Sequence, residues 1–141
     1  MTLKQKSKGI YLDDSFDPSS YDSIIFDCDG VLIDITNSYD QTIIKTTNYV
    51  LETLAEIDDS IKVDFKIIDG FKSTGGFNDE VDLTYAAILS IVAAKKLNKN
   101  QMEFIYVVIK NSDSTGIKSV ENFLKNQIDI SKIINQLSYP R

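Results

Sequence analysis

Two aspartates, Asp27 and Asp29, stand one residue apart at the end of an apolar run, and Gly30 follows at once. If residues 23–27 form a β-strand that stays extended through position 29, the two-residue period puts both carboxylates on the same side. The carboxyl end of a buried parallel strand is where ligands bind in open α/β sheets. Two carboxylates at that place could hold a hard cation, and one of them could attack a phosphorus atom. The spacing therefore predicts carboxylate and metal-ion chemistry.

The composition excludes histidine-dependent chemistry and argues against nucleic-acid and membrane partners. The 141 residues include no histidine, which excludes Ser-His-Asp and Cys-His mechanisms and zinc sites with histidine ligands. A net charge of −6, with Arg141 as the only arginine, argues against a nucleic-acid partner. A single cysteine, Cys28, fits a reducing compartment, and neither a signal peptide nor a membrane-spanning apolar run is visible. We expect a cytoplasmic protein with no membrane partner.

The elements around the two aspartates are predicted from hydrophobic patterning. Residues 23–27 are almost continuously apolar, which is typical of a strand buried on both faces. On such a strand Cys28 points away from the aspartates, and we expect it to be a small buried hydrophobe. Residues 1–20 are interpreted as an N-terminal arm with a brief strand over 9–12, and the lysines at positions 4, 6 and 8 as part of a solvated tail.

After Asp34 the apolar period becomes helical. The first helix should bury Tyr39, Ile43, Val50 and Leu54 along one stripe. The third helix should start at an N-cap on Asn78, with acidic residues in its first turn and lysines near its end. Its Val81, Tyr85 and Val92 should face a core. Periodicity alone cannot decide between a helix and a buried strand over 101–111, and the flanking helices favour a helix. The predicted helices run over 37–56, 63–68 (capped near Ser60), 79–96, 101–111, 117–126 and 130–137.

Residues 26–34, Phe-Asp-Cys-Asp-Gly-Val-Leu-Ile-Asp, resemble the first motif of the haloacid dehalogenase (HAD) superfamily of phosphohydrolases. The helical stretch that follows is similar to the helical cap domain that phosphoglycolate-phosphatase-like members insert at this point. A second, weaker resemblance joins residues 75–84 to a stretch in the cap of an archaeal-type phosphatase group. The resemblance implies an α/β fold: a HAD-like Rossmannoid core, of which only the first strand is present, and an inserted, mainly α-helical cap.

The same resemblance implies the role of each residue in the motif. Asp27 would be the nucleophile, and Asp29 the general acid and then the general base. Mg²⁺ would be bound by the Asp27 carboxylate and the Asp29 backbone carbonyl. Backbone N–H groups from Cys28 to Gly30 would face the phosphate oxygens. The substrate would be a small phosphorylated metabolite.

Other parts of the family pattern are absent or weak in this sequence. Members also need a Ser or Thr after a second strand, a lysine and a late acidic pair. The only candidates for the first two are Ser112 and Lys118, and they require residues 104–110 to be a strand. We therefore expect residues 1–34 to be the N-terminal arm and first core strand with its catalytic loop, and 35–141 to be the cap, with the core continuation missing.

Three alternatives stay open at this stage. The aspartates can be ordinary turn residues at a strand end. The loop over 75–78 can face a substrate or simply connect two helices. The whole chain can be a non-catalytic helical binding or regulatory module with a vestigial motif. An exposed core face or the cap would then favour oligomers.

Overall fold

The computed structural model describes residues 3–8 and 10–138. Within these residues the fold mixes helix and strand and is mainly helical, with one two-stranded sheet. The chain forms two compact units, Met1–Asp34 and Ile35–Arg141. The elements are β1 (Leu3–Ser7), β2 (Ile10–Asp13), a 3₁₀ turn (Pro18–Ser20), a π-helical turn (Thr36–Asp40), α1 (Gln41–Thr53), α2 (Phe65–Lys72), α3 (Glu80–Lys96), α4 (Gln101–Lys110), α5 (Ile117–Lys125) and α6 (Ile130–Ser138).

The first unit contains an antiparallel hairpin of β1 and β2, in which Lys4 pairs with Leu12 and Gln5 with Tyr11. The brief strand predicted over 9–12 corresponds to β2, although Gly9 lies outside the described residues. Lys4 and Lys6 belong to β1, and their ammonium groups form ion pairs with Asp14. These two lysines are exposed, as a solvated segment requires, but they belong to an ordered hairpin, so the prediction of a tail was wrong for them.

The strand predicted over 23–27 does not form in the structure. These residues have no regular secondary structure, and the side chains of Ile24, Ile25 and Phe26 are 78, 97 and 61 % exposed. A β-strand is stabilised by hydrogen bonds and side-chain contacts to a neighbouring strand. The described residues offer no neighbour, since their only sheet is the β1–β2 hairpin. The prediction of a strand buried on both faces was therefore wrong for this chain.

The second unit is a helical bundle centred on α3, which contacts the other five helices. Every residue of α3 from Ala86 to Ala94 is buried. A helix that is apolar all round belongs in the interior of a bundle, and α3 has that composition over these two and a half turns. The hydrophobic core of the protein lies around this helix.

All six predicted helices form, but several of them begin or end at residues other than the predicted ones. Residues 101–110 form a helix, as favoured over a strand, and the closing helices lie within a residue of their predicted bounds. The second helix begins later than predicted: Asp64, not Ser60, caps α2 by accepting a hydrogen bond from the backbone N–H of Ile67 at 3.0 Å. In α1 the buried residues are Ile43, Thr47 and Leu51.

Three residues predicted to face the core are more exposed than expected. Tyr39 and Leu54 are each 40 % exposed, and Val81 is 74 % exposed. Tyr39 belongs to the π-helical turn before α1, whose wider period breaks the i, i+4 stripe that the prediction assumed. Leu54 follows the last residue of α1, and Val81 lies in the first turn of α3, ahead of its buried stretch.

Candidate functional site

Asp27 directly precedes a tight turn over residues 28–33, and Asp29 lies within it. The backbone N–H groups of Leu32 and Ile33 both donate to the carbonyl of Cys28 at 2.9 Å, and the N–H of Gly30 donates to the carbonyl of Ile33 at 2.9 Å. Asp29 forms an isolated bridge with Ile33. Gly30 has φ = +77°, a left-handed conformation that costs glycine little and other residues more. The glycine in the motif therefore matches the turn that the backbone makes.

Hydrogen bonds within this turn limit which backbone N–H groups could contact a phosphate. We expected N–H groups from Cys28 to Gly30 to face phosphate oxygens. The N–H of Gly30 is already bonded to Ile33, so in this conformation it is not available to a ligand. The predicted contact through Gly30 requires the turn to open, whereas the predicted role of Cys28 stays a prediction.

Both aspartates are exposed, and so is Cys28. The expectation that Cys28 is buried was wrong, because no strand forms to turn it toward an interior. Without an extended backbone from 23 to 29, the two-residue period no longer places Asp27 and Asp29 on one side. Among the described residues, no group of three or more histidine, cysteine, aspartate or glutamate side chains could hold a metal ion.

Ser112 and Lys118 do not form a second motif in this chain. Residues 104–110 belong to α4, so no strand delivers Ser112 to a site. Its hydroxyl donates to the carbonyl of Val108 at 2.9 Å, a common arrangement at the end of a helix. Lys118 lies exposed in the first turn of α5.

The loop over 73–79 packs closely against α2 and the turn before α5. The Phe77 side chain is buried and contacts Phe71 edge to face, with ring centroids 4.9 Å apart. A Cβ atom on Gly76 would lie 2.4 Å from the carbonyl oxygen of Asp113 and 2.5 Å from the backbone N of Gly116. The loop therefore fixes α2 and α3 against the turn before α5, and the connecting role is the better supported of the two alternatives.

One half-buried ion pair was missed by the sequence analysis. The ammonium of Lys72, at the end of α2, lies 2.8 Å from the carboxylate of Asp40, in the π-helical turn before α1. Asp40 is 9 % exposed, so this pair is better shielded from solvent than the other ion pairs of the bundle. The two residues are 32 positions apart, and nothing in the local pattern relates them.

A shallow apolar groove lies between α1 and α3, with a volume of about 290 Å³. Thr42, Thr46, Thr84 and Tyr85 contribute to its lining. The Thr42 hydroxyl donates to the Ser38 carbonyl in the π-helical turn, and the Thr84 hydroxyl donates to the Glu80 carbonyl in α3, so both donors are used within the chain. Burial, with a smaller effect of the Glu121 carboxylate, raises the pKa of Tyr85, so this phenol stays neutral at physiological pH. The groove carries no charged pair suited to a phosphate.

No family model, curated protein or solved structure matches the chain. No helix in the described part of the chain is long and apolar enough to cross a membrane.

Proposed function

We propose that the chain carries the nucleophile segment of a magnesium-dependent phosphatase of the HAD superfamily, which acts on a small phosphorylated metabolite. The observation that carries this proposal is the sequence Asp27-Cys28-Asp29-Gly30: two exposed carboxylates, one directly before and one within a turn in which the glycine has a positive φ. The finer fold assignment, a HAD-like α/β core with an inserted, mainly helical cap, belongs to the same proposal.

In the proposed reaction Asp27 is the nucleophile. One of its carboxylate oxygens attacks the phosphorus, and the bond from phosphorus to the ester oxygen breaks. Asp29, in its protonated form, donates its proton to the departing alcohol. The Asp29 carboxylate then takes a proton from water, whose oxygen attacks the phosphorus of the aspartyl-phosphate. Inorganic phosphate leaves, and the Asp27 carboxylate is restored.

The motif supplies two oxygen donors of the kind that Mg²⁺ binds. Mg²⁺ in phosphoryl-transfer sites is usually bound through one or two carboxylates together with substrate phosphate oxygens and water. The Asp27 carboxylate and the Asp29 backbone carbonyl would hold the ion, and no third acidic ligand accompanies them among the described residues. When bound, the ion would offset the repulsion between the Asp27 carboxylate and the phosphate.

Hydrolysis of p-nitrophenyl phosphate by the full chain, with and without Mg²⁺, tests the proposal. We expect slow release that requires the ion and falls by about 10²-fold or more in Asp27→Asn. Asp22→Asn is the matched control, because Asp22 is another exposed carboxylate on the same segment and should leave the rate unchanged. In Asp29→Asn we expect a burst of one equivalent, since p-nitrophenolate leaves without a proton and only the second step needs the base.

Hydrolysis that is equal in Asp27→Asn and the unmodified chain would contradict the nucleophile assignment. A complete lack of Mg²⁺-dependent hydrolysis would support the second candidate, a non-catalytic binding module with a vestigial motif. A specific observation favours that candidate: large apolar side chains on both sides of the aspartates are exposed, among them Ile25 and Leu32. Exposed apolar patches of this kind mark interaction surfaces.

A further inference from the structure

Residues 22–27, here called the unpaired segment, have strand composition and no strand partner. Within the described residues no hydrogen bond involves their backbone N–H or C=O groups. Ile25 is 97 % exposed, the largest exposed fraction among the exposed large hydrophobic residues, and Ile24 and Phe26 beside it are 78 and 61 % exposed. Free backbone donors and acceptors along a β-branched apolar run form a template for pairing with another chain.

No described residue of the first unit covers this segment. Among the described residues of that unit, all are exposed except Leu12 and Asp13, which are half-buried. A unit this small rarely buries enough apolar surface to be stable by itself. A groove of about 410 Å³ begins at the segment, with Phe16, Tyr21 and Ile24 in its lining. An incoming apolar side chain would therefore find a pocket next to Ile24.

We propose that the occupant is a second copy of this chain, paired with the unpaired segment in an antiparallel strand centred on Ile25. This inference does not depend on phosphatase activity. It places Ile24 opposite Phe26 of the second copy and Ser23 opposite its Asp27. Phe26 of one copy then enters the groove beside Ile24 of the other, and the same contact is repeated by the two-fold symmetry.

The aspartates select this arrangement over the other pairings. A parallel pairing in register puts Asp22 beside Asp22 and Asp27 beside Asp27, and like charges placed opposite each other destabilise a sheet. Moving the antiparallel register by one residue in either direction puts Asp22 opposite Asp27 or Asp29. Moving it by two puts Asp22 opposite Phe26, or Asp27 opposite Ile25. Centred on Ile25, no carboxylate faces another carboxylate: Asp27 lies opposite Ser23, Asp22 opposite Cys28 and Asp29 opposite Tyr21.

The favoured register also gives each central group a suitable neighbour. In the single chain the Ser23 hydroxyl donates to the Asp22 carboxylate at 3.1 Å, and in the pair it can donate instead to the Asp27 carboxylate opposite it. Ile24 with Phe26 is an aromatic and β-branched pair of the kind that stabilises sheets. The two Asp27 residues lie four residues apart along the strand direction, which is about 13 Å. That separation exceeds the Debye length of about 8 Å at physiological salt, so their repulsion is weak.

Disulfide trapping tests the register directly. In a Cys28→Ser background, Ile25→Cys places the two new thiols directly opposite, with Cα atoms about 5 Å apart, within the range that a disulfide spans. Ile24→Cys places them about 8 Å apart, which is too far. We expect mild oxidation to convert Ile25→Cys to a covalent dimer, at least about tenfold more than Ile24→Cys. Equal trapping of the two variants, or none, would overturn the register.

Sedimentation equilibrium of the unmodified full chain tests the association itself. We expect the mass to rise with concentration from 15.9 kDa toward twice that value, and more steeply at high salt, because each copy carries a net charge of −6. Ile25→Lys should hold the chain at the mass of one copy. Val81→Lys is the control, since Val81 is 74 % exposed on α3, and it should associate like the unmodified chain.

Far-UV circular dichroism of the variants establishes that the helices remain folded. A chain that stays at 15.9 kDa at all concentrations, or an Ile25→Lys variant that associates as strongly as Val81→Lys, would overturn the proposal. A mass that rises without limit would overturn it as well, because a two-fold antiparallel pair closes at two copies.

Discussion

At the scale of single residues, the two adjacent glycines of the loop over 73–79 are constrained in different ways. Gly75 has φ = +79° and open space around the position of a Cβ, so only its backbone conformation favours glycine. Gly76 has no such conformation, but its Cβ would collide with backbone atoms of Asp113 and Gly116. Backbone atoms cannot rotate away as the end of a side chain can, so the second constraint is the stronger one.

Alanine substitution at the two positions separates these effects. We expect Gly75→Ala to lower the free energy of unfolding by about 1–2 kcal/mol, the cost of a left-handed conformation. Gly76→Ala should lower it by about 3 kcal/mol or more, because the loop must move away from the turn at Gly116. Urea unfolding followed by circular dichroism measures both. Equal losses at the two positions would contradict the close approach of the two loops.

The motif residues also show which features of single residues could be predicted from the sequence. Asp27, Asp29 and Gly30 were predicted to form a site from their types and spacing, and the positive φ of Gly30 agrees with glycine at that position. The exposure of Cys28 was not predicted, because the prediction took its direction from a strand that does not form. The contact between Asp40 and Lys72 could not be predicted from the sequence, because it depends on how the end of α2 packs beside the start of α1.

At the scale of elements, α3 illustrates how closely a helix start can be predicted. The sequence indicated Asn78 as the N-cap, and the structure has Asp79 in that role. The Asp79 carboxylate accepts hydrogen bonds from the backbone N–H of Val81 at 2.7 Å and of Asp82 at 3.3 Å. Both residues are good N-caps by type, so only the backbone conformation decides between them.

The capping role of Asp79 can be tested by substitution, with its neighbour Asn78 as the control. Asp79→Ala should lower the free energy of unfolding by about 1 kcal/mol, because it removes the acceptor for two N–H groups in the first turn of α3. Asn78→Ala should change it by no more than a few tenths of a kcal/mol, since Asn78 is exposed and precedes the cap. Thermal unfolding of both variants at neutral pH measures the difference. A larger loss from Asn78→Ala would restore the cap that the sequence indicated.

Helices and strands differ in how much of them the sequence determines. The bond from residue i to i−4 lies within the segment, so the 3.6-residue period and the cap residues predicted the type of α1 to α6. A strand over 23–27 needs a partner that its own residues cannot supply, and Ile24 and Ile25 show the strand pattern without the strand. The hairpin of β1 and β2 forms because each strand is the other's partner.

At the scale of the whole molecule, the two units differ in what holds them. The helical unit has its own core around α3, whereas no described residue of the first unit is buried. Local opening should therefore require little free energy in the first unit and nearly the full free energy of unfolding in α3. This difference bears on both proposals, because the aspartates and the pairing segment lie in the unit without a core.

Hydrogen exchange measured by mass spectrometry tests that difference on the full chain. At a concentration where sedimentation finds single copies, amides of residues 22–27 should exchange at nearly the rate of an unstructured peptide. Amides of Ala86–Ala94 should be slower by a factor approaching the equilibrium constant for unfolding. Protection of 22–27 in single copies would mean that the segment has found a strand partner within the chain. Protection that appears only as the concentration rises would instead show that the partner is another copy.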